Sequence, residues 1–99
     1  MLKVSWIVTP HPSCYNRDMH YLYLLQSELD KSLYIGQTSD LKRRFAEHNS
    51  GQSQSTKAKK PWKLIYYEAY LDPNLALKRE KQLKRFAKSY TMLKKRIGL

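Results

Sequence analysis

Five side chains in this chain of 99 residues are of the types that a metal-assisted phosphodiester hydrolase would need: Tyr23, Tyr34, Arg44, His48 and Glu80. Arg44 and His48 stand four positions apart, so a helix carrying them would point both at one place. A guanidinium there can hold a phosphate through two N–H groups and offset the charge that develops at phosphorus. His48 can move a proton or simply hold phosphate; the plain alternative is a solvated arginine beside a partly buried histidine at a helix end. Arg43, on a different face, is the alternative phosphate contact.

Glu80 is the only acid in the basic helical stretch Pro73–Lys88. On a helical wheel it falls near Ala76, Leu83 and Ala87, with Lys78, Lys81, Arg85 and Lys88 clustered on the other side. Magnesium keeps several waters and often takes one or two carboxylates plus substrate phosphate, so a single Glu80 suffices for Mg²⁺, with Mn²⁺ as a substitute. The plain reading is an ordinary Glu80–Lys84 pair four residues apart, worth a few tenths of a kcal/mol. Zinc is disfavoured, since His11, His20 and His48 form no helical pair and Cys14 is the only cysteine. Tyr23 and Tyr34 fall on adjacent expected strands, where tyrosine often only packs. A phenol near pKa 10 gains a further use where a cation favours its ionised form and lets it take a proton from water. Gly36 would leave space beside it, or serve the turn into the following helix.

The elements that must position these groups follow from local pattern. His20–Leu25 and Ser32–Gln37 are β-rich runs joined by polar Ser27–Lys31, a pattern that predicts an antiparallel hairpin. Thr38, Ser39 or Asp40 can cap a helix from Leu41, which Asn49-Ser50-Gly51 can end; Leu41, Phe45 and His48 share one side of it. Gln52–Lys60 reads as a mobile basic loop whose Lys57, Lys59 and Lys60 can touch phosphate. Trp62–Tyr70 is a third strand, with Leu64, Tyr66 and Glu68 alternating against Ile65, Tyr67 and Ala69. Asp72-Pro73-Asn74 caps a helix running to about Lys88, and Ser89 caps a last one, Tyr90–Ile97, whose Met92, Leu93 and Ile97 close the core. The order β-β-α-β-α-α gives an α+β domain over 19–99, a small three-stranded antiparallel sheet flanked by helices. Residues 1–18 read as a disordered N-terminal arm, with a strand at Leu2–Thr9 as the alternative.

A chain this short supports one core. Its 41% apolar content and twelve aromatic residues argue for a folded domain. The net charge of +11 is unevenly placed: residues 1–40 hold three Lys/Arg against four Asp/Glu, residues 41–99 sixteen against four. A basic half of this kind binds polyanions through counterion release, and Arg43, Lys57, Lys59, Lys60, Lys81, Lys84 and Arg85 are its candidate nucleic-acid contacts. No apolar run approaches the roughly 20 residues of a membrane span, and the lone Cys14 suits a reducing compartment, so the expected location is cytoplasmic.

Taken together, Tyr21-Leu22-Tyr23, Tyr34-Ile35-Gly36-Gln37-Thr38, Leu41–Asn49 with its Arg44 and His48, and Ala76–Lys84 around Glu80 resemble the GIY-YIG nuclease superfamily over about residues 19–97. More narrowly, they resemble its small single-domain bacterial branch, similar to the nuclease domain of the excision-repair incision subunit. The resemblance implies a three-stranded antiparallel sheet, one divalent metal and endonucleolytic, nicking hydrolysis of DNA, structured or damaged. It also implies roles: Tyr23 as the first triad's tyrosine, Tyr34 as partner of the attacking water, Arg44 at the transition state, His48 in proton transfer and Glu80 on Mg²⁺. Tyr21 stands where the name-giving motif has glycine, and no asparagine follows Asn74. Two other readings stay open: a nucleic-acid-binding module of this fold without turnover, and an interaction subunit docking a protein partner through Trp62 and Tyr66.

Overall fold

A computed structural model describes residues 19–99; the arm over 1–18, its alternative strand and Cys14 lie outside the described residues. Five consecutive residues, Tyr21 to Leu25, are buried. Successive strand side chains point to opposite faces, so a sheet built on this segment must be covered on both sides. The segment belongs to β1 (His20–Ser27), the central strand, flanked by β2 (Leu33–Thr38) and β3 (Trp62–Tyr70) in the antiparallel order β2-β1-β3. Register places Tyr23 opposite Gly36 on one side and Tyr67 on the other, with Leu25 opposite Tyr34.

The alternation expected along β3 is interrupted. Leu24 pairs with Tyr66 but Leu25 pairs with Leu64, which leaves Ile65 as an extra residue in a bulge. Leu64 therefore packs with Tyr23, Leu25 and Trp62, whereas Ile65, Tyr66 and Tyr70 pack with Leu22, Leu24, Ile35, Leu83 and Leu93. The bulge is what sends Leu64 and Tyr66 to different faces of the sheet.

Three α-helices cover those faces: α1 (Leu41–Ser50), α2 (Pro73–Arg85) and α3 (Ala87–Arg96). Asp40 caps α1 by accepting the Arg43 N–H at 3.1 Å, and Gly51 ends it at φ 85°, a left-handed conformation that glycine adopts without steric cost. Asp72 caps α2 through the Asn74 N–H at 2.9 Å, with Pro73 in the first turn.

The expected boundary near Lys88–Ser89 falls instead at Phe86, whose extended backbone (φ −113°, ψ 104°) separates α2 from α3 and leaves Ser89 inside the first turn of α3. Leu83 before the break and Leu93 after it are both buried in one core. Leu93 and Ile97 close that core with Tyr90, while Met92 is 61% exposed and does not.

Two further expectations are corrected. The segment Gln52–Lys60 is anchored: it carries a 3-10 turn at Lys57–Lys59 and buries Ser53 and Thr56. Trp62, named as part of an exposed docking surface, is buried, and its indole N–H donates to the Thr56 carbonyl at 2.8 Å. Asn49 fixes the same place by donating to the Trp62 carbonyl at 2.9 Å. Tyr66 is half-buried and donates to Glu68 at 2.6 Å.

Candidate active site

The face of the sheet that α1 covers is built around Tyr23. Its ring lies over Gly36 on the neighbouring strand, where an added Cβ would come within 2.5 Å of the phenol oxygen. Gly36 therefore makes room for the Tyr23 ring, and its space is already filled. The Tyr23 hydroxyl is 2.8 Å from His48 Nε2, and His48 Nδ1 is 2.7 Å from Thr56 Oγ1. His48 and Thr56 are fully buried and Tyr23 nearly so. The three form a hydrogen-bonded chain from β1 through α1 to the anchored loop.

Burial, with the neighbouring Tyr34, pushes the Tyr23 phenol up to about 12, against a hydrogen bond from Arg44. Burial and then the Arg44 charge push His48 down to about 4. Both groups are consequently neutral at pH 7. We assign the Tyr23 O–H as the donor to His48 Nε2, since the neighbouring Arg44 guanidinium can only donate toward the phenol oxygen. A neutral imidazole accepting at Nε2 carries its proton on Nδ1 and donates it to Thr56 Oγ1.

Tyr34 borders the same place. Its ring meets the His48 ring edge-on at 5.0 Å between centroids and the Trp62 ring at 6.1 Å. It is half-buried, and its hydroxyl has no side-chain partner among the described residues. Arg44 is held by Glu47 at 2.9 Å and reaches Ser53 Oγ at 3.5 Å, an arrangement that raises its pKa chiefly through Glu47. Glu80 lies close enough for its charge to oppose ionisation of Tyr23. Its side chain is only 17% exposed, with Lys84 on Oε2 at 3.0 Å.

Two carboxylates thus border the site, and their partners distinguish them. Glu47 has Arg44 on one oxygen and Arg43 at 3.7 Å from the other. Glu80 keeps Oε1 without a partner among the described residues. No three His, Cys, Asp or Glu side chains converge among the described residues; a single carboxylate with a free oxygen is a donor that would suit a hydrated Mg²⁺ shared with phosphate.

Of the basic candidates, Arg43 leans on Glu47, Lys84 on Glu80, and Lys59 on Asp30 at 3.4 Å. Lys57, Lys60, Lys81 and Arg85 are exposed, and no ion pair holds them among the described residues. Sequence reasoning missed Thr56 and Ser53. Both sit in a polar run with no periodicity, and each contacts a residue eight or nine positions earlier.

A small α+β domain with this tyrosine–histidine chain beside an arginine and a helix-borne carboxylate has the make-up of a nuclease catalytic domain. Residues 19–95 match the GIY-YIG catalytic domain, and the chain belongs to the GIY-YIG family. It is 39% identical over 79 residues to a UPF0213 protein of Haloquadratum walsbyi, covering 79% of this chain and 83% of that one. A UPF0213 protein of Staphylococcus saprophyticus is 39% identical over 72 residues, 72% of this chain and 87% of the relative. Among solved structures, the solution NMR structure of the UPF0213 protein BH0048 from Bacillus halodurans aligns with a TM-score of 0.51 at 29% identity, covering 81% and 87% of the two chains. Among the described residues no helix is long and apolar enough to cross a membrane.

Proposed function

We propose that this protein is a divalent-metal-dependent endonuclease that nicks DNA. The observation that carries the proposal is the buried Tyr23–His48–Thr56 chain, whose Tyr23 feels the charges of both Arg44 and Glu80. Both nitrogens of His48 are already bonded, one to Tyr23 and one to Thr56, so a proton that His48 takes up at Nε2 comes through the Tyr23 oxygen. Tyr23 then takes a proton from water as its own passes to Nε2. Tyr34, with its hydroxyl free, holds that water in place. The water oxygen bonds to phosphorus and the bond from phosphorus to the leaving sugar oxygen breaks.

Arg44 lies beside the reacting phosphate, and its N–H groups offset the negative charge gathered on the phosphoryl oxygens. Glu80, through its free oxygen, would hold Mg²⁺ or Mn²⁺, which would supply positive charge against the charge that develops on the phosphate and on the departing oxygen. One such centre per chain cuts one strand per encounter, which is nicking. The exposed Lys57, Lys60, Lys81 and Arg85 supply salt-sensitive attraction to the backbone, which carries little sequence information.

The test is cleavage of plasmid, duplex, single-stranded and branched DNA with Mg²⁺ or Mn²⁺ by wild type, Glu80→Ala and Arg44→Ala. Cutting by wild type with loss of at least 100-fold in both variants is expected. Metal-dependent cutting that survives Glu80→Ala would sink the metal role. A second reading, binding without turnover, is favoured by the Lys84 ammonium on Glu80, which competes with a cation for that carboxylate. Salt-sensitive binding with no product on any substrate establishes it.

A further inference from the structure

On the outer flank of α2 lies a groove with a composition of its own. Tyr70, Leu75 and Phe86 supply its apolar surface, and Lys78, Lys81 and Arg85 its charge. Arg79 also borders it, but that guanidinium is committed to Glu68. No acid lines the groove, and its three remaining cations are in no ion pair among the described residues.

Phe86 is 55% exposed and Leu75 47%, so both offer apolar surface to a ligand in the groove. The Phe86 backbone is fixed where the ring projects: its N–H donates to the Gln82 carbonyl at 3.0 Å and its carbonyl accepts the Tyr90 N–H at 3.3 Å. The groove also adjoins the recess that holds Glu80. Lys81 and Arg85 line both it and the adjoining recess that contains Glu80 and Lys84.

We infer that this groove binds an unpaired nucleic-acid strand leaving the Glu80 recess, with a base stacked on Phe86 and phosphates on Lys78, Lys81 and Arg85. The inference rests on the nuclease reading for the direction of the strand. Leu75 to Phe86 spans roughly 16 Å of helix, enough for several nucleotides. A duplex hides its base faces in the stack and offers mainly phosphates and groove edges. Only an unpaired base can give its face to an aromatic ring, and that contact tolerates any base. The bound substrate is therefore DNA with a single-stranded extension beside the cut, in preference to blunt duplex.

The experiment measures binding in EDTA, where cleavage does not interfere, by anisotropy of labelled single strand, blunt duplex and duplex with a single-stranded tail. Wild type, Phe86→Ala and Phe86→Tyr are compared. Loss of one stacked base predicts weakening of about 10-fold for single strand and tailed duplex in Phe86→Ala, with a much smaller change on blunt duplex and near-wild-type binding by Phe86→Tyr. Equal loss on all three probes, or no loss on any, overturns the inference. So does capture of a poly-glutamate peptide in place of the oligonucleotides, which would make the groove a site for an acidic protein segment. Cleavage is then read separately with Mg²⁺: tail-dependent binding without cutting refutes the nuclease reading alone, and cutting without tail preference refutes the groove alone.

Discussion

The two faces of the sheet each carry tyrosine hydroxyls bonded to a titratable side chain, and they use them oppositely. On the face covered by α2 and α3, Tyr66 and Tyr70 both donate to Glu68, which Arg79 also holds at 3.0 to 3.2 Å. Burial works to raise the Glu68 carboxyl, but hydrogen bonds from Arg79, Tyr66 and Tyr70 reverse it and hold it below its ordinary value. Burial and then that carboxylate push Tyr70 up to about 12. Charge is matched there, and each donor has its acceptor. On the face covered by α1, Tyr23 and His48 are an uncharged pair with shifted pKa values, bordered by a free hydroxyl and a carboxylate with one free oxygen. The first network resembles a lock between β3 and α2; the second keeps capacity for a proton, a phosphate and a cation.

The strongest way to break this comparison is to remove one member from each network. Tyr23→Phe should cost cleavage about 10²- to 10⁴-fold, the usual worth of a positioned acid–base group, while changing stability by roughly 1 kcal/mol. Glu68→Gln strips Arg79 of its counter-ion and should cost roughly 2–4 kcal/mol of stability, with cleavage well below the melting temperature retained. Single-turnover rates and denaturant midpoints on both variants decide it. A Glu68→Gln enzyme that stays stable but stops cutting would merge the two networks into one site.

Acid separates the faces next. The folded His48 value, about 4, lies below the ordinary 6.5, so the unfolded chain takes a proton that the folded chain refuses. Stability is then complete above pH 6.5 and lost as pH falls toward 4, by up to about 3 kcal/mol. Glu68 is also depressed, but its contribution is present above the ordinary carboxyl value of 4.5 and fades only below it. Denaturant midpoints from pH 7.5 to 3 should show both arms. His48→Asn should flatten the upper arm and spare the lower; an unchanged upper arm would refute the assignment of a buried neutral His48.

The legibility of this molecule follows the same division. Strand and helix order could be read because β-rich runs, Asp40, Gly51 and Asp72-Pro73 mark their ends by local chemistry. Arg44 and His48 were legible as a pair because helical spacing alone puts them on one face. What escaped had no local mark. The Ile65 bulge lies in a run where each residue favours a strand equally, and the break at Phe86 has neither glycine nor proline to announce it. The break shows itself only in the tertiary structure, where Leu83 before it and Leu93 after it join one core. Thr56 was hidden for a related reason: it looks like any polar loop residue until His48 is seen to need a partner on Nδ1.

That hidden residue provides the finest test of how the two faces differ. Thr56 Oγ1 is the recorded partner of Nδ1, and its backbone carbonyl separately holds the Trp62 indole, so a side-chain change leaves the second bond in place. Thr56→Val keeps the shape and removes the acceptor. It should cost about 1–2 kcal/mol for the unsatisfied Nδ1–H. It should also release the Nδ1–H tautomer, which ¹⁵N shifts of the His48 ring report without any cleavage assay. Thr56→Ser should restore both. The cleavage loss in Thr56→Val should be smaller than in Tyr23→Phe, because the phenol still stands between water and Nε2 and only the fraction of His48 in the accepting tautomer falls. A Thr56→Val enzyme with wild-type ring shifts would mean that Tyr23 and Arg44 alone orient the imidazole, and the chain of three would reduce to a pair.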